Sequence, residues 1–322
     1  MMSLKDKYEK YFRIGTSIST YSMKTHGQMI KEQFNYLTCE NAMKYSSVCN
    51  EDGVYQFDNA DAISDFARKN NIPIHGHTFV WHNQTPNSIF VNNPSREELL
   101  ECVRLHMKLV GKRYHDITDS WDVVNEAIDD KHGLFLRDSK YLQIIGEDYI
   151  DCVFRIAKEV LPDKDLFYND YNESVPEKQE KIIKLVTGMK ERGVPIDGVG
   201  LQSHHNLYTP DIDTIRRSLE AYAKTGLRLR ITELDVSMFR FEDHSNPGTP
   251  STELLKKQAK YYGELFKAYR EYSEAIDSVT LWGVCDHQSW LNHFPVRARA
   301  NWPLLFDKDG QPKEAFYAVM DF

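Results

Sequence analysis

The sequence predicts a (β/α)8 barrel, the TIM-barrel fold of the α/β class, on two observations. Eight short apolar or β-branched runs recur along the 322 residues, and amphipathic stretches with helical period separate most of them. A chain that is 41% hydrophobic can also bury a large core. Because α/β barrels of this length commonly form a single domain, we expect one domain over residues 1–322.

The eight runs are the candidate strands, and they lie near residues 12–18, 34–38, 72–81, 119–126, 165–171, 196–204, 227–236 and 278–285. The clearest helices are predicted over residues 96–115, 176–192, 211–224 and 253–272. The second of these begins with Pro176 and stops before Gly193, as helices commonly do. The apolar face of the first is expected to consist mainly of Leu99, Leu100, Val103, Leu105, Met107, Leu109 and Val110. An open doubly wound sheet is the alternative, but no G-x-G-x-x-G motif follows the first run.

Composition excludes several classes of partner. The net charge is -8 and no run of Lys or Arg is present, so neither nucleic acid nor an anionic membrane surface is an expected partner. No stretch approaches the roughly 18 apolar residues of a membrane-spanning helix. The first ten residues have no apolar segment of the signal-peptide type, and the five cysteines are odd in number and scattered. We therefore expect a cytoplasmic protein with reduced thiols.

Polar and aromatic side chains follow the carboxyl ends of the predicted strands, where barrels place their active sites. In chain order they are Glu40, Asn41, Lys44, His75, His77, Trp81, His82, Asn125, Glu126, Asn169, Asp170, Tyr171, Asn172, Gln202, His204, His205, Glu233, Asp235, Trp282, Asp286, His287 and Trp290. Carboxylates and amides can bond sugar hydroxyls, and indole faces can stack on the apolar face of a sugar ring. This mixture of side chains predicts a carbohydrate site.

Two glutamates stand out because each ends an apolar, β-rich run. Glu126 follows Trp121–Asn125, and Glu233 follows Leu227–Thr232. Since carboxylates are rarely buried without a partner, two of them in such positions suggest one site assembled from distant segments. Paired carboxylates on opposite sides of a scissile bond are what glycosidic cleavage requires.

Both acids also have a structural interpretation. Glu126 could pair with an arginine, and Glu233 could pair with Arg228 or Arg230, because structural ion pairs are common. The structural interpretation loses weight when the two acids are considered together, since they end strands four and seven of the same predicted barrel.

Other candidates have structural interpretations too. Glu40 and Lys44 could form a surface pair one helical turn apart. Trp121 is expected in the core, and Trp282 and Trp290 could also lie there. His75 is expected to be a core histidine. A metal site is the remaining alternative, with His75, His77, His204 and Asp286 as its ligands.

The motifs together resemble glycoside hydrolase family 10, the endo-β-1,4-xylanases, almost from end to end of the chain. The matching stretches are Phe34–Lys44, His75–His82, Trp121–Ala127, Gly200–His204, Ile231–Asp235, Leu281–Val284 and Pro303–Asp307. Several multi-residue motifs in the family's order are far more specific than one pair of acids. The resemblance implies hydrolysis of β-1,4 bonds in xylan or xylo-oligosaccharides with retention of anomeric configuration, without metal or cofactor.

The resemblance also implies a role for each matching residue. Glu126 is then the general acid and later the general base, protonated at rest, and Glu233 is the ionised nucleophile, with the two carboxyls roughly 5–5.5 Å apart. His204 and Asp235 orient Glu233, and Asn125 bonds the sugar 2-hydroxyl. The other sugar contacts are Glu40, Asn41, Lys44, His77, Trp81 and Gln84 for the glycone, Tyr171 for the leaving-group side, Gln202 beside the nucleophile, and Trp282 and Trp290 against the ring.

The chain departs from the family pattern at four places. Cys39 replaces a frequent Pro, Tyr45 replaces a frequent Trp, residues 87–89 lack a frequent Trp, and the segment 291–302 is longer than in many members. These departures concern the number of sugar subsites rather than the chemistry. The alternatives to a xylanase are a β-glucanase or cellobiohydrolase on the same barrel, a metal-dependent barrel hydrolase, and a non-catalytic sugar-binding barrel.

Overall fold

The structure is a computed structural model that describes residues 2–322. The described chain divides into two compact units. The central unit is Leu37–Leu201, and the terminal unit combines the residues up to Tyr36 with Gln202–Phe322.

The central unit is a run of parallel strands with helices between them. Its strands are β2 (Tyr36–Cys39, whose first residue belongs to the terminal unit), β3 (Ile74–Gly76), β4 (Val80–Trp81), β5 (Thr118–Asn125), β6 (Asp165–Asp170) and β7 (Gly198–Leu201). Its helices are α3 (Tyr45–Val48), α4 (Asp58–Asn70), α5 (Arg96–Arg113), α6 (Lys140–Ile145), α7 (Tyr149–Val160) and α8 (Pro176–Glu191). Parallel pairing runs from β2 through β3, β5 and β6 to β7, and β4 also pairs with β5.

The terminal unit repeats this pattern. Its strands are β1 (Arg13–Ile18), β8 (His204–Asn206), β9 (Arg228–Ser237) and β10 (Ile276–Leu281). Its helices are α1 (Leu4–Tyr8), α2 (Thr20–Gln33), α9 (Ile212–Ala223), α10 (Thr252–Glu271) and α11 (Glu314–Met320). β1 pairs with β10, β10 with β9, and β9 with β8, all in parallel.

Burial explains why the strands read as continuous apolar runs. In β9 every residue after Arg228 is buried, as expected of a parallel strand covered on both faces. On α5, Ser95 and Glu98 form a capping box at the first turn. Leu105 and Leu109 of this helix are 51% and 40% exposed, so their predicted place on its apolar face is wrong and that face is narrower than expected.

The predicted elements otherwise agree with the structure. Each of the eight apolar runs overlaps a strand, and the runs at 72–81 and 196–204 each overlap two. The four predicted helices match α5, α8, α9 and α10 to within about two residues at each end. Within residues 2–322, no helix combines the length and apolarity needed to cross a bilayer.

Candidate active site

Glu126 occupies the first position after β5, in the central unit. Its φ of 57° lies in the left-handed region, and its backbone N–H donates to the carbonyl of Asn169 at 2.8 Å. Two neutral side chains donate to its carboxyl group: Trp81 Nε1 to Oε2 at 2.8 Å, and Asn125 Nδ2 to Oε1 at 3.3 Å. Trp81 can reach because β4 pairs with β5 and places it opposite Asn125. The strand pairing therefore brings the predicted acid and two of its predicted neighbours together.

The backbone that follows Glu126 is fixed by side chains from distant segments. Arg137 Nε donates to the carbonyl of Glu126 at 3.1 Å. The backbone N–H groups of Ala127 and Ile128 donate to the hydroxyl of Tyr168 at 3.0 and 3.2 Å. A left-handed conformation at a residue other than glycine costs free energy and persists where its surroundings fix it.

The loop after β2 carries three predicted glycone-binding residues. Lys44 is 6% exposed, its Nζ donates to Asn41 Oδ1 at 2.9 Å, and it lies 5.0 Å from the centre of a Trp81 ring. Glu40 lies in the same loop, and α3 begins only at Tyr45. The alternative of a surface Glu40–Lys44 pair on a helix is therefore wrong, because Lys44 is buried and neither residue is helical.

The two histidines of β3 and its extension share one buried carboxylate, Asp122. His77 Nδ1 lies 2.8 Å from Asp122 Oδ2, and His75 Nε2 lies 2.9 Å from Oδ1. Burial alone would raise the pKa of Asp122, but the two imidazoles outweigh it and hold that pKa below its ordinary range. His75 also contacts Ser120 at 2.8 Å, so its assignment as a core histidine is confirmed.

Three further residues of the central unit have clear positions. Gln84 is exposed and accepts a backbone hydrogen bond from Ser46 at 2.8 Å through its carbonyl. Tyr171 follows β6, and its hydroxyl contacts Asp130 and accepts from Arg137 Nη2 at 2.8 Å. Trp121 is fully buried and stacks on Phe79 with 4.0 Å between ring centres, as its core assignment requires.

Glu233 lies inside β9, in the terminal unit, and is 5% exposed. His204 Nε2 is 3.3 Å from Glu233 Oε2, and His204 Nδ1 is 3.0 Å from Asp235 Oδ2. This arrangement follows from the pairing of β8 with β9, which places His204 opposite Asp235. Glu233 also donates its backbone N–H to the carbonyl of Gln202 at 3.0 Å. The predicted nucleophile and its predicted neighbours are therefore in contact.

The charge of His204 is set by its two acidic neighbours. Burial would lower the pKa of His204, but Asp235 first and Glu233 second outweigh burial and raise it to about 10. The ring is therefore a cation at neutral pH, with an N–H on each nitrogen. One N–H faces each carboxylate, which fixes the orientation of Glu233 and favours its ionised form.

Two indoles lie beside His204. Its ring is 6.4 Å from Trp282 and 5.0 Å from Trp290, both in edge-on geometry. Trp290 Nε1 donates to Asp235 Oδ2 at 2.9 Å. One face of Trp290 stacks on Phe294 at 5.3 Å, a contact that sequence analysis did not anticipate.

The structure also places the alternatives. Arg230 pairs with Asp277 at 2.7 Å, and Arg228 lies 4.0 Å from the same residue. Asp286, a member of the alternative metal set, pairs with Lys313 at 2.9 Å. Among residues 2–322 no group of three or more His, Cys, Asp or Glu is arranged so that it could hold a metal ion.

The family model described as "Glycosyl hydrolase family 10" matches residues 3–322. The chain belongs to glycosyl hydrolase family 10. It is 44% identical to "Endo-1,4-beta-xylanase A" of Caldicellulosiruptor saccharolyticus, over 100% of this chain and 96% of that protein. It is 42% identical to "Endo-1,4-beta-xylanase" of Geobacillus stearothermophilus, over 99% of this chain and 98% of that protein.

Solved structures agree with this family assignment. An endo-1,4-beta-xylanase from Caldicellulosiruptor owensensis has a TM-score of 0.97 at 46% identity, covering 100% of both chains. A mutant enzyme in complex with xylotriose has a TM-score of 0.97 at 45% identity, also over 100% of both chains. The predicted fold class, a (β/α)8 barrel, is confirmed, and as a family 10 member the protein is a retaining glycoside hydrolase.

Four residues that surround the turn after Glu126 had no individual role predicted from the sequence. They are Arg137, Tyr168, Asp170 and Lys178. Residues 168 and 170 share one face of β6, because side chains alternate along a strand. A polar pair on one face of a buried strand could have identified them as a buried polar cluster. Lys178 gave no such signal, because lysines in the first turn of a helix are usually exposed.

Proposed function

We propose that this protein is an endo-1,4-β-xylanase that hydrolyses xylan and xylo-oligosaccharides, with Glu126 as general acid and base and Glu233 as nucleophile. The observation that carries the proposal is the difference between the two carboxyl groups. Neutral donors contact Glu126, whereas the His204 imidazolium contacts Glu233. The relatives named as endo-1,4-β-xylanases support the choice of substrate.

Glu126 begins the reaction as a protonated acid. Trp81 Nε1 and Asn125 Nδ2 orient its carboxyl group without adding a positive charge. It donates its proton to the glycosidic oxygen as the bond breaks, and later removes a proton from the attacking water. Asn125 also bonds the 2-hydroxyl of the sugar at the cleaved bond, a contact that strengthens in the transition state.

Glu233 attacks the anomeric carbon as a carboxylate and forms a glycosyl–enzyme intermediate. His204 holds one of its oxygens, and Asp235 keeps His204 positively charged. Water then attacks the same carbon, so two inversions give net retention. The step uses no metal or cofactor, so we expect full activity after chelation.

The sugar contacts are proposed on the same basis. Lys44, Asn41 and Trp81 form one connected group that contacts Glu126, and Glu40, His77 and Gln84 complete the glycone side. Tyr171 binds on the leaving-group side. Gln202, Trp282 and Trp290 surround the His204–Glu233 pair. The relative that binds xylotriose supports a xylo-oligosaccharide in these positions.

A test of this function follows the products of xylohexaose by NMR. The wild-type enzyme should release internal fragments whose first-formed reducing ends are β-anomers. With azide present, Glu126→Ala should give a β-xylobiosyl azide from an activated aryl β-xylobioside. Absence of turnover on every xylose-based substrate would refute the proposal, and α-anomers as first products would refute the mechanism.

A broader substrate range is a second candidate. One relative, 39% identical over 99% of this chain, is named "Thermostable celloxylanase". Cleavage of an aryl β-cellobioside at a rate comparable with that of the aryl β-xylobioside would establish it.

We further propose that the protein is cytoplasmic and acts as one domain without nucleic acid or membrane partners. Its five cysteines are free, and Cys39, Cys49 and Cys285 are buried, which suits a reducing compartment. Fractionation of the native cell tests the compartment, and recovery of the native protein outside the cell would contradict it. A single calorimetric transition is expected of one domain, and two separable transitions would contradict that expectation.

A further inference from the structure

A buried charged cluster lies under the turn that carries Glu126. It consists of Tyr168, Asp170 and Lys178, and we call it the Asp170 cluster. Tyr168 and Asp170 are fully buried and Lys178 is 3% exposed. Lysine and aspartate are rarely fully buried unless their charges are paired, and such buried charges are frequent at functional sites.

The hydroxyl of Tyr168 connects the cluster to the turn. Its oxygen accepts from the backbone N–H groups of Ala127 at 3.0 Å and Ile128 at 3.2 Å. The hydroxyl donates a hydrogen bond to Asp170 Oδ2 at 2.5 Å. A hydroxyl has one donor and two acceptor positions, and all three are used here. Because the Tyr168 hydroxyl donates to Asp170, its rotation is fixed. Its two acceptor positions are therefore available to the N–H groups of Ala127 and Ile128.

Asp170 is surrounded by donors. Besides the Tyr168 hydroxyl, it accepts from the backbone N–H of Ile128 at 3.4 Å, from that of Tyr171 at 2.9 Å and from Lys178 Nζ at 3.0 Å. Only an ionised carboxylate has acceptor positions for four donors. Lys178 Nζ also donates to the carbonyl of Ile128 at 2.8 Å. The charged pair thus holds both backbone polar groups of Ile128.

The cluster also interacts electrostatically with the acid. Burial raises the pKa of Asp170 to about 7, against the opposing effects of Lys178 and Tyr168, and the charge of Glu126 contributes to the increase. The charge of Asp170 also contributes to the raised pKa of Tyr149 on α7.

We infer that Asp170 is a positioning residue for the general acid. Through Tyr168 and Lys178 it holds the backbone of Ala127 and Ile128, directly after Glu126, and so fixes the turn that aims the Glu126 carboxyl. This inference rests on the proposed function, because it assigns Asp170 to the step in which Glu126 donates a proton.

The matched control is a second buried Asp–Lys pair in the terminal unit. Asp286 Oδ2 lies 2.9 Å from Lys313 Nζ, Asp286 is 1% exposed, and Oδ1 accepts from the backbone of Leu304 at 2.8 Å. Asp286→Asn therefore removes the same charge from a similar pair, but one that holds Leu304 instead of the residues after Glu126.

The experiment compares kcat/KM of wild type, Asp170→Asn and Asp286→Asn on two substrates. Xylohexaose needs protonation of its leaving group, whereas 2,4-dinitrophenyl β-xylobioside does not. We expect Asp170→Asn to lower kcat/KM by about 10- to 100-fold on xylohexaose and by less than about 3-fold on the aryl substrate. The loss on xylohexaose corresponds to part of the rate increase that a general acid supplies. Asp286→Asn should lower Tm and leave the ratio of the two substrates unchanged.

Three outcomes would overturn the inference: equal losses of Asp170→Asn on both substrates, no loss on either, or the same selective loss in Asp286→Asn. If Asp170→Asn does not fold, Tyr168→Phe replaces it, since it removes only the hydroxyl that receives the Ala127 and Ile128 N–H groups. It should show the selective loss on xylohexaose, and an unselective result would overturn the positioning role. Inactivity of the wild-type enzyme on both substrates would instead refute the proposed function, and the inference with it.

Discussion

The surroundings of Glu126 and of Glu233 differ in charge. Glu126 receives hydrogen bonds from an indole and an amide, both neutral. Glu233 contacts His204, whose ring is held as a cation by Asp235. Neutral donors orient a carboxyl without fixing its protonation state, whereas an imidazolium favours the carboxylate. The roles of acid and nucleophile proposed for these two identical side chains therefore rest on the difference between their neighbours.

The backbone differs in the same sense. Glu126 is partly exposed and has a left-handed backbone conformation just beyond β5, whereas Glu233 is 5% exposed within β9. A nucleophile benefits from a fixed position, because it must stay aligned with one carbon atom. An acid that later serves as a base must remain accessible to the leaving group and to water.

The largest expected effect is the loss of the nucleophile. Glu233→Gln should lower kcat by more than about 10^4-fold on both xylohexaose and 2,4-dinitrophenyl β-xylobioside, because no glycosyl–enzyme can form. Steady-state assays on both substrates test this, with the exposed Glu253→Gln as the control for general damage. Appreciable turnover on either substrate would show that another residue is the nucleophile.

Removal of the acid should be selective. Glu126→Gln should lose about 10^2- to 10^4-fold in kcat/KM on xylohexaose, where the leaving group needs a proton. The dinitrophenyl substrate should keep most of its kcat/KM, since its leaving group departs as an anion. Equal losses on the two substrates would show that Glu126 does not protonate the leaving group.

The His204 cation should appear in the pH dependence of stability. The pKa of His204 in the folded state is raised to about 10 from the ordinary histidine value of 6.5, so its contribution to stability is complete below about pH 6.5 and disappears as pH rises toward 10. We expect the free energy of unfolding to fall by roughly 2–4 kcal/mol from this group across that range. Urea titrations of wild type and His204→Gln measure it, and parallel curves for the two proteins would contradict a charged His204.

The smallest expected effect concerns the stack behind Trp290. Phe294→Ala should raise KM for xylohexaose by about 2- to 10-fold, because an aromatic pair contributes about 0.5–1.5 kcal/mol to the position of the indole. The control is Phe241→Ala, which removes a ring that contacts Phe294. A similar KM increase in both variants would indicate disturbance of the loop and not of Trp290.

The sequence alone was sufficient to predict the barrel and to nominate the residues of the candidate site. Alternating apolar runs and amphipathic stretches indicate strands and helices because both depend on local periodicity. The short motifs around Glu126 and Glu233 are contiguous, so their residues could be identified without a structure. Leu105 and Leu109 show the limit of this approach, since helical period does not settle which apolar residues a neighbouring element covers.

Tertiary structure decided the charges and the supports of the site. The state of His204 depends on carboxylates that lie 29 and 31 positions further along the chain (233 and 235 against 204), brought close by the pairing of β8 with β9. Burial of Lys44 against Trp81 and of Lys178 against Asp170 likewise required segments that are distant in the chain to meet. A sequence pattern records which groups can ionise, but their protonation depends on the solvation and charge that only the assembled fold supplies.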